Sequence, residues 1–336
     1  MTFANLPSHL EEAITKILQQ QESQEWLHHA QSLHERYFEG KNDKERFLHD
    51  FDDVLAYLGM RVPATYAQIL GALTAIEELV PSWKPKSLLD IGSGPGTAGW
   101  ASMAVWPDLS EIVALDQDRD LISLGKQIIT NAAIHTDITW KNHDLREGIS
   151  YDDQQYDLVI IANVLNELSP ASREKIIGQA YNKCKGVLVI IESGTPQGSQ
   201  IIESAAQNLS KVGLLLAPYL ANSFVQDKDY YLHFPQRFIR PEFQRRVRQQ
   251  MRDDSAKASD WEEAKYSYVA ISKIPAEKEA WGRCVGPVQT QKGFLEVPVL
   301  TKDAVAKIKV MKRNKEDYSI AKRLRWGDLL EKNIGA

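Results

Sequence analysis

Hydrophobic residues recur along the chain with two different periods. Over residues 1–80 they return at helical spacing, as in Leu10, Ile14, Ile17 and Leu18, which predicts amphipathic helices. From Ser87 onward, short and nearly continuous apolar runs alternate with helical segments. The runs predicted as strands are 87–91, 111–115, 138–141, 156–162 and 186–191. Because they are apolar throughout and separated by helices, they predict an α/β fold with a parallel sheet covered on both faces.

The two periods divide the chain into three predicted regions. A helical N-terminal region spans residues 1–80, and Pro63 is expected to interrupt its helices. The α/β domain spans residues 81–275, with a strand over 265–272 expected to complete its sheet. It contains an insert over 214–260 that is expected to be irregular from 214 to 234 and to hold a basic helix over 241–252. The last region, 276–336, is basic and strand-rich and is expected to end in a helix over 316–330.

Composition is that of an ordinary soluble protein. The chain has 336 residues, of which 43% are hydrophobic and 25% charged, and this length allows two domains or one domain with extensions. No apolar run approaches about 18 residues, and residues 1–20 lack a signal pattern. We therefore expect a cytoplasmic protein without membrane contact.

Two cysteines, Cys184 and Cys284, exclude a disulfide framework and a metal site made of cysteine alone. Four N-terminal histidines lack metal-ligand spacing, so we expect them to be solvated or capping residues and predict no metal. They are His28, His29, His34 and His49.

Charge is distributed unevenly. From Phe234 to the end there are 22 Lys and Arg against 14 Asp and Glu, a balance of +8; the rest of the chain holds 18 against 31, a balance of −13. The basic C-terminal third is therefore a candidate for contact with a polyanion. An ordinary solvated surface is the alternative.

A glycine cluster follows the first predicted strand. Residues 90–96 read DIGSGPG and precede a helix predicted over 97–105. Gly92 and Gly94 allow a tight turn close to a ligand, and Gly96 allows close packing where the helix leaves the sheet. Asp90 precedes the loop, at the carboxyl ends of the strands, where open α/β sheets bind their ligands. The motif predicts a nucleotide-binding loop, with turn geometry alone as the alternative.

A carboxylate at the end of the second strand suits either a dinucleotide or S-adenosylmethionine, and two others, Asp90 and Asp144, favour S-adenosylmethionine. Asp116 ends the second strand, where it can accept hydrogen bonds from both ribose hydroxyls, as in dinucleotide-binding proteins. Asp90 can serve the cationic amino-acid end of S-adenosylmethionine, and Asp144 follows the third strand, where this fold often contacts the adenine amino group. The pattern is similar to the class I methyltransferase signature, and a dehydrogenase is the less favoured interpretation.

The fourth predicted strand leads into the sequence Asn163-Val164-Leu165-Asn166-Glu167, at the edge where methyltransferases hold the acceptor. Asn163 is a candidate to orient the substrate or to contact the cofactor, and Glu167 to contact either. The sequence is not of the N-P-P-Y type used for exocyclic amino groups. Asn166 and Glu167 are equally well explained as N-terminal residues of the next helix.

Several segments, taken together in their order and spacing, carry a family resemblance. They are 61–66 (RVPATY), 89–98 (LDIGSGPGTA) with Trp100, 163–168 (NVLNEL), 265–268 (KYSY), Arg283 with Pro287, and 326–328 (WGD). With them the chain resembles the methyltransferase-like proteins associated with the small ribosomal subunit, whose mitochondrial members act in assembly of that subunit. The resemblance implies a class I methyltransferase, Rossmann-like sheet with an N-terminal helical extension and a small β-rich C-terminal region.

Members of this family commonly carry four cysteines that resemble iron–sulfur ligands. At the corresponding places this chain has Tyr219, Ser223 or a neighbour, Leu232 and Pro298. Because thiolates hold such clusters, we predict no iron–sulfur cluster. An aromatic core is expected to hold the segment instead, formed by Tyr219, Phe224, Tyr230, Tyr231, Phe234 and Phe238, with His233 as a structural hydrogen-bonding residue.

Basic residues of the C-terminal third are candidates for contact with small-subunit RNA, because phosphates dominate nucleic-acid affinity. Intramolecular pairing with the acidic part of the chain is the alternative. The candidates are Arg245, Arg246, Arg248, Lys312, Arg313, Arg323 and Arg325.

Together these features predict an S-adenosylmethionine-dependent methyltransferase acting on or with small-subunit RNA during ribosome assembly. No general base is evident. A non-catalytic, RNA-binding assembly factor with the same fold and a small-molecule methyltransferase are the alternatives.

Overall fold

The computed structural model describes residues 3–21, 26–39, 48–149, 153–220, 231–250 and 259–335. Four helices occupy the N-terminal part: α1 (Ser8–Gln19), α2 (Trp26–Glu39), α3 (Phe51–Met60) and α4 (Val62–Glu77). The predicted interruption near Pro63 is confirmed to within two residues, since α3 ends at Met60 and α4 begins at Val62, with Pro63 in its first turn. A proline is tolerated there, since its missing N–H would have no partner within the helix.

Five parallel strands form the main part of a large sheet, and the helices between them are close to those predicted. The strands are β1 (Ser87–Ile91), β2 (Glu111–Asp116), β3 (Asp137–Asn142), β4 (Tyr156–Ala162) and β5 (Cys184–Ser193). The helices are α5 (Thr97–Val105), α6 (Arg119–Asn131), α7 (Pro170–Lys183) and α8 (Pro196–Leu209). Every residue of β1 is buried, so this central strand is covered on both faces.

Three antiparallel strands extend the sheet: β6 (Leu214–Ala217), β7 (Phe234–Ile239) and β8 (Trp261–Ser272). The strand order is β3-β2-β1-β4-β5-β8-β6, and β7 also pairs with β8. The structure confirms the predicted class I methyltransferase arrangement. The expectation of an irregular stretch beginning at 214 is wrong, since β6 pairs with β8 there. The basic helix is α9 (Glu242–Gln250).

A smaller five-stranded sheet forms the C-terminal part, with β9 (Gly282–Cys284), β10 (Gln289–Gln291), β11 (Phe294–Thr301), β12 (Val305–Met311) and β13 (Leu329–Leu330). The expected C-terminal helix, α10 (Lys315–Arg323), stops earlier than predicted. The chain turns at Gly327, whose φ of 106° is in the left-handed region, and β13 then pairs with β9. The prediction that this region ends in a helix is therefore wrong, because β13 follows α10.

One large apolar core connects the N-terminal helices to the large sheet, and a smaller core lies between the C-terminal sheet and α10. The division of the chain into three regions stays a prediction. Among the described residues, no helix is both long enough and apolar enough to cross a membrane.

Candidate functional site

The loop after β1 is built on three glycines with left-handed backbone. Gly92, Gly94 and Gly96 have φ angles of 70°, 54° and 95°. The N–H groups of Gly92 and Ser93 donate to the carbonyl of Leu115 in β2, at 2.8 and 2.9 Å. The loop is therefore held at the carboxyl end of β1 and β2, as predicted for a ligand-binding loop.

The three glycines meet different surroundings. A Cβ at Gly92 would lie 2.2 Å from the Val164 side chain, and one at Gly96 would lie 2.8 Å from the ring of Trp140. A Cβ at Gly94 would meet one neighbour within 4 Å among the described residues, the hydroxyl of Tyr57 at 3.7 Å. Gly92 and Gly96 are thus required for packing, whereas Gly94 leaves room in front of the loop.

Asp116 is tied to this loop. Its Oδ2 accepts the N–H of Gly94 at 2.7 Å, and its Oδ1 accepts the N–H of Asp118 at 2.8 Å. Removal from water raises the pKa of Asp116 to about 6, although these backbone donors oppose the shift. Because each carboxylate oxygen has a second lone pair, Asp116 can still accept a hydrogen bond from a ligand.

Asp90 is only 1% exposed, at the base of the loop. Its Oδ2 has no hydrogen-bond partner within the described part of the chain. Burial raises the pKa of Asp90 to about 8, the charge of Asp116 adds to the shift, and a backbone hydrogen bond from Gly99 opposes it. A buried carboxyl oxygen without a partner is costly unless a ligand or water completes its bonding.

Asp144, unlike Asp90, already has partners for its carboxylate. It caps a 3-10 turn over Leu145–Glu147 and pairs with Arg146, whose Nη2 lies 2.6 Å from its Oδ2. This hydrogen bond holds the pKa of Asp144 below its usual range. A contact to a ligand through this carboxylate competes with Arg146.

Asn163 lies just after β4 and has a φ of 56°. Its N–H donates to the carbonyl of Ile191 at 2.9 Å, and its side-chain amide donates to Gln68 Oε1 at 3.0 Å. Gln68, a buried residue of α4, in turn donates to the carbonyl of Lys265 in β8 at 2.8 Å. The amide of Asn163 is therefore fixed by a residue that lies 95 positions earlier in the chain.

Glu167 is exposed and ends a 3-10 turn over Leu165–Glu167. The alternative that Asn166 and Glu167 begin the next helix is wrong, since α7 begins at Pro170 and is capped by the side chain of Ser169.

Two residues of this site escaped the sequence interpretation. Glu192, at the end of β5, is fully buried; its Oε1 accepts the N–H of Leu165 at 2.8 Å, and its Oε2 has no partner among the described residues. Burial raises the pKa of Glu192 to about 8. Tyr57 of α3 faces Gly94, and burial raises its pKa. A polar residue closing the apolar run of β5 was a visible signal for Glu192, whereas nothing near Tyr57 in sequence indicated its position.

The site is acidic. Asp90, Asp116 and Glu167 each raise the pKa of Tyr57 by their charge, in addition to burial and against the effect of Arg61. Such a site suits a ligand that carries positive charge. Neither cysteine offers a reactive thiol, because burial raises the pKa of Cys184 to about 12 and that of Cys284 to about 11.

Most basic residues around α9 are paired with acidic residues of the same chain. Arg248 lies 3.3 Å from Glu262, and Arg246 forms an ion pair with Glu242 one turn earlier. Arg245, on the same helix, is half-buried. Arg246 and Arg248 therefore follow the alternative given above, in which basic residues pair with acidic residues of the same chain instead of with RNA.

The basic residues near the C-terminus are more available. Lys312, Arg313 and Arg325 are exposed, and no side-chain ion pair or hydrogen bond involves them in the described ranges. Arg323 is exposed and donates only to Ser319, one turn earlier. These four cations form what we call the C-terminal basic surface.

The positions corresponding to the missing cysteines hold buried or packed side chains. Tyr219 and Leu232 are buried, and Pro298 lies in β11; Ser223, Phe224 and Tyr230 fall outside the described residues. The ring of His233 lies between those of Tyr231 and Trp326, each centroid 4.7 Å away. Burial lowers the pKa of His233.

Phe234 packs against Tyr268 in β8, with ring centroids 5.4 Å apart, whereas Phe238 belongs to a separate cluster with Ala4. Aromatic packing is thus present in this segment. The absence of an iron–sulfur cluster stays a prediction.

The N-terminal histidines include one cluster that spacing did not reveal. The Nδ1 of His29 in α2 lies 3.0 Å from Asp53 and 3.5 Å from Asp50, the residue that caps α3. The hydrogen bond to Asp53 raises the pKa of His29. These contacts account for the three side chains without an ion, and the predicted absence of a metal stays a prediction.

Comparison with known proteins connects the chain to the ribosome. The sequence model of the family described as mitochondrial small ribosomal subunit Rsm22 matches residues 51–331. The mitochondrial ribosome assembly protein METTL17 of Homo sapiens is 26% identical over 154 residues, which are 45% of this chain and 34% of that protein. The match thus spans about a third of the length of this curated relative.

Solved methyltransferase structures are similar in fold alone. Magnesium protoporphyrin IX methyltransferase from Synechocystis PCC 6803 has a TM-score of 0.36 and 13% identity, covering 63% of this chain and 85% of that one. An S-adenosylmethionine-dependent methyltransferase from Agrobacterium tumefaciens has a TM-score of 0.40 and 10% identity, covering 62% of each chain.

Proposed function

The chain belongs to the Rsm22 family of the mitochondrial small ribosomal subunit, and from this premise we propose that it binds S-adenosylmethionine and methylates RNA, or a component assembled with RNA, in a small ribosomal subunit. The loop after β1 is the proposed cofactor site. The edge formed by Asn163 and Glu167 is the proposed acceptor site.

One observation supports the cofactor proposal: Asp90 has a buried carboxyl oxygen that no described residue hydrogen-bonds, at the base of a glycine loop that is open at Gly94. A cationic ligand compensates such a carboxylate, and S-adenosylmethionine has two cationic groups, an ammonium and a sulfonium. The acidic surroundings at Asp116 and Glu167 favour the same charge. These residues therefore fit the cofactor.

Each residue has a proposed role. Asp90 faces the amino-acid end of the cofactor, Gly92, Gly94 and Gly96 let the backbone approach it, and Asp116 accepts hydrogen bonds from the ribose. Asp144 contacts the adenine amino group, in competition with Arg146. Bound S-adenosylmethionine supplies an electrophilic methyl group. The protein contributes orientation, which provides most of the rate in a transfer between two bound groups.

Asn163 is proposed to orient the acceptor. Its amide is preset by Gln68, so the cost of ordering it is already met in the folded protein. Glu192 accepts the N–H of Leu165 and so supports the turn that carries Glu167. Asn163 and Glu167 are candidates for contact with substrate, whereas Glu192 is a positioning residue.

The RNA contact is proposed for the C-terminal basic surface. Lys312, Arg313 and Arg325 have no side-chain ion pair within the described residues, and Arg323 donates to Ser319 rather than to a carboxylate. Their charge therefore stays available for phosphates, whereas the arginines of α9 are partly neutralised by Glu242 and Glu262.

A calorimetric titration of the full chain with S-adenosylmethionine, alone and with small-subunit RNA, tests the cofactor site. We expect binding in the micromolar range and its loss in Gly94→Ile. Gly293→Ile is the matched control, because Gly293 also has a left-handed φ, of 93°, with nothing within 4 Å of its added Cβ, and lies on the C-terminal sheet. Unchanged affinity in Gly94→Ile, or no binding under either condition, would overturn the site assignment.

A second candidate function is that of a non-catalytic assembly factor. It is favoured by the burial of two carboxyl groups of the site, since Asp90 is 1% exposed and Glu192 is fully buried, and a general base must reach the proton that it removes. Transfer of a labelled methyl group from S-adenosylmethionine to small-subunit RNA separates the two. Cofactor and RNA binding without transfer supports the assembly factor. Transfer to a small molecule, with no RNA affinity at low salt, supports the third alternative.

A further inference from the structure

Arg283 lies in β9 and is only 1% exposed. Its Nη1 donates to the carbonyl of Gly327 at 2.8 Å. Its Nε and Nη2 have no hydrogen-bond acceptor among the residues that the structure describes, and no carboxylate of these residues forms an ion pair with it. Within the described part of the chain, two of the three nitrogens of this buried guanidinium are therefore without an acceptor.

This arrangement is costly unless a further group completes it. Arginine does not lose its proton in proteins, so the group cannot escape the cost of burial by becoming neutral. Buried charges are normally paired. Arg240, just after β7, is the other buried arginine among the described residues, and it follows this rule. It donates to Glu262 at 2.9 Å and also to the carbonyl of Ser259.

The two unsatisfied nitrogens have a particular geometry. In a planar guanidinium the Nε–H and Nη2–H groups point in the same direction, along one edge of the group. This edge is the fork that holds one anion with two parallel hydrogen bonds. Arg283 thus uses the third nitrogen for Gly327 and keeps its anion-binding edge without an acceptor in the described chain.

Another donor without a partner lies close by. The hydroxyl of Tyr268 in β8 is buried and has no hydrogen-bond partner in the described ranges. The ring centroid of Tyr268 lies 5.4 Å from that of Phe234, and the Phe234 side chain lies 3.8 Å from a Cβ built at Gly327, the residue whose carbonyl accepts Arg283 Nη1. Burial raises the pKa of the Tyr268 hydroxyl, and the charge of Arg283 opposes this rise. Trp326, the residue before Gly327, likewise has a buried Nε1 without a partner among these residues.

These groups come from both sides of the seam between the two sheets. Arg283 and Gly327 belong to the C-terminal part, and Tyr268 belongs to the large sheet. Phe234 of β7 lies 3.8 Å from a Cβ built at Gly327, so the two parts are in contact there.

We propose that the Nε and Nη2 edge of Arg283, together with the Tyr268 hydroxyl, binds a small inorganic anion at the seam between the large sheet and the C-terminal sheet. The anion neutralises the buried guanidinium and links β8 to β9. The site is separate from the proposed cofactor site, and its test does not depend on methyl transfer.

Thermal unfolding of the full chain at constant ionic strength tests the site. Potassium gluconate, whose anion is too large to be enclosed, is replaced stepwise by chloride, bromide, phosphate or sulfate in separate series. Above the dissociation constant, each tenfold rise in the free concentration of the anion that binds should increase the folding equilibrium constant about tenfold. The series that shows this increase identifies the anion as a halide or an oxyanion.

Three variants make the result specific. Arg283→Lys removes the forked edge and should abolish the dependence of stability on the anion. Tyr268→Phe keeps the ring but removes the hydroxyl, and it should weaken this dependence. Arg313→Lys is the control, because this arginine is exposed and should leave the dependence unchanged. An equal dependence on anions in all three variants would overturn the proposal.

Crystals grown with bromide give a second readout that does not require the Arg283 variant to fold. An anomalous peak within hydrogen-bond distance of Nε and Nη2 supports the site. An ordered water at that point, together with an anion dependence that Tyr268→Phe leaves unchanged, would contradict it.

Discussion

The backbone N–H of Gly94 donates a 2.7 Å hydrogen bond to the carboxylate of Asp116, which joins the loop after β1 to the end of β2. An asparagine at position 116 can still accept this bond, but it lacks the negative charge. Because hydrogen bonds to charged groups contribute about 1.5–3 kcal/mol, we expect Asp116→Asn to weaken S-adenosylmethionine binding by roughly ten- to a hundredfold. Calorimetric titration measures the change.

Asp108→Asn is the control for this prediction. Asp108 is exposed and pairs with Lys86 at 3.3 Å, on the loop before β2. Its replacement should leave the affinity unchanged. Equal affinities of Asp116→Asn and the unchanged protein would show that the ribose is held elsewhere.

Buried carboxyl groups predict how the stability of the cofactor-free protein depends on pH. Burial raises the pKa of Asp90 and of Glu192 to about 8, whereas carboxyls in the unfolded chain have pKa values of about 4. The folded state therefore binds more protons than the unfolded state between these values. The stabilisation that these two carboxyl groups contribute is fully present below about pH 4, the pKa of the unfolded chain. It is lost as the pH rises through about 8, the pKa in the folded protein.

Urea unfolding from pH 5 to pH 9 measures this dependence. The free energy of unfolding should fall with pH, by up to about 1.4 kcal/mol per pH unit for each such group. Asp90→Asn removes one titrating group and should make the slope shallower. A free energy of unfolding that rises over this range would contradict the assignment of neutral, buried carboxyls.

The glycine loop and the sheet were predictable because their signals are local. The sequence of residues 90–96 follows an apolar strand directly, and the structure has the left-handed glycines there. The contacts of Gln68 and Tyr57 with the site were not predictable, because they depend on how α3 and α4 pack against the sheet. The same holds for β6, whose four residues become a strand only through pairing with β8.

The amide of Asn163 provides a test of the acceptor edge. Asn163→Gly keeps the left-handed backbone, which glycine adopts readily, and removes only the side chain. We expect cofactor affinity to change by less than about threefold and methyl transfer to fall by about tenfold or more, as for a lost orienting contact. Ala133→Gly is the control, since Ala133 has a similar φ of 51° after α6. An equal loss of cofactor affinity and transfer would place Asn163 at the cofactor instead.

Metal content tests the interpretation of the replaced cysteines. Thiolates hold iron–sulfur clusters, and the corresponding positions have Tyr219, Leu232 and Pro298. Cys184 and Cys284 are both buried. Protein purified without oxygen should therefore contain iron and sulfide far below one equivalent per chain. Stoichiometric iron with matching sulfide would contradict the prediction.

The C-terminal basic surface predicts how RNA affinity depends on salt. Affinity for single-stranded nucleic acid falls with salt because each phosphate contact releases about 0.7 of a counterion. If Lys312, Arg313 and Arg325 each contact a phosphate, replacing all three by glutamine should reduce the slope of log affinity against log salt by about two. Filter binding of small-subunit RNA at several potassium concentrations measures this slope.

The control removes the same charge from another part of the chain. Lys84, Lys86 and Lys185 are exposed, and each is paired with a carboxylate, Glu77, Asp108 and Asp157 respectively. Their replacement by glutamine changes the net charge equally but removes cations that are already neutralised, so the slope should stay within experimental error. A slope reduced equally by both triple variants would mean that RNA responds to net charge alone, and a slope reduced by neither would place the RNA contact outside the C-terminal basic surface.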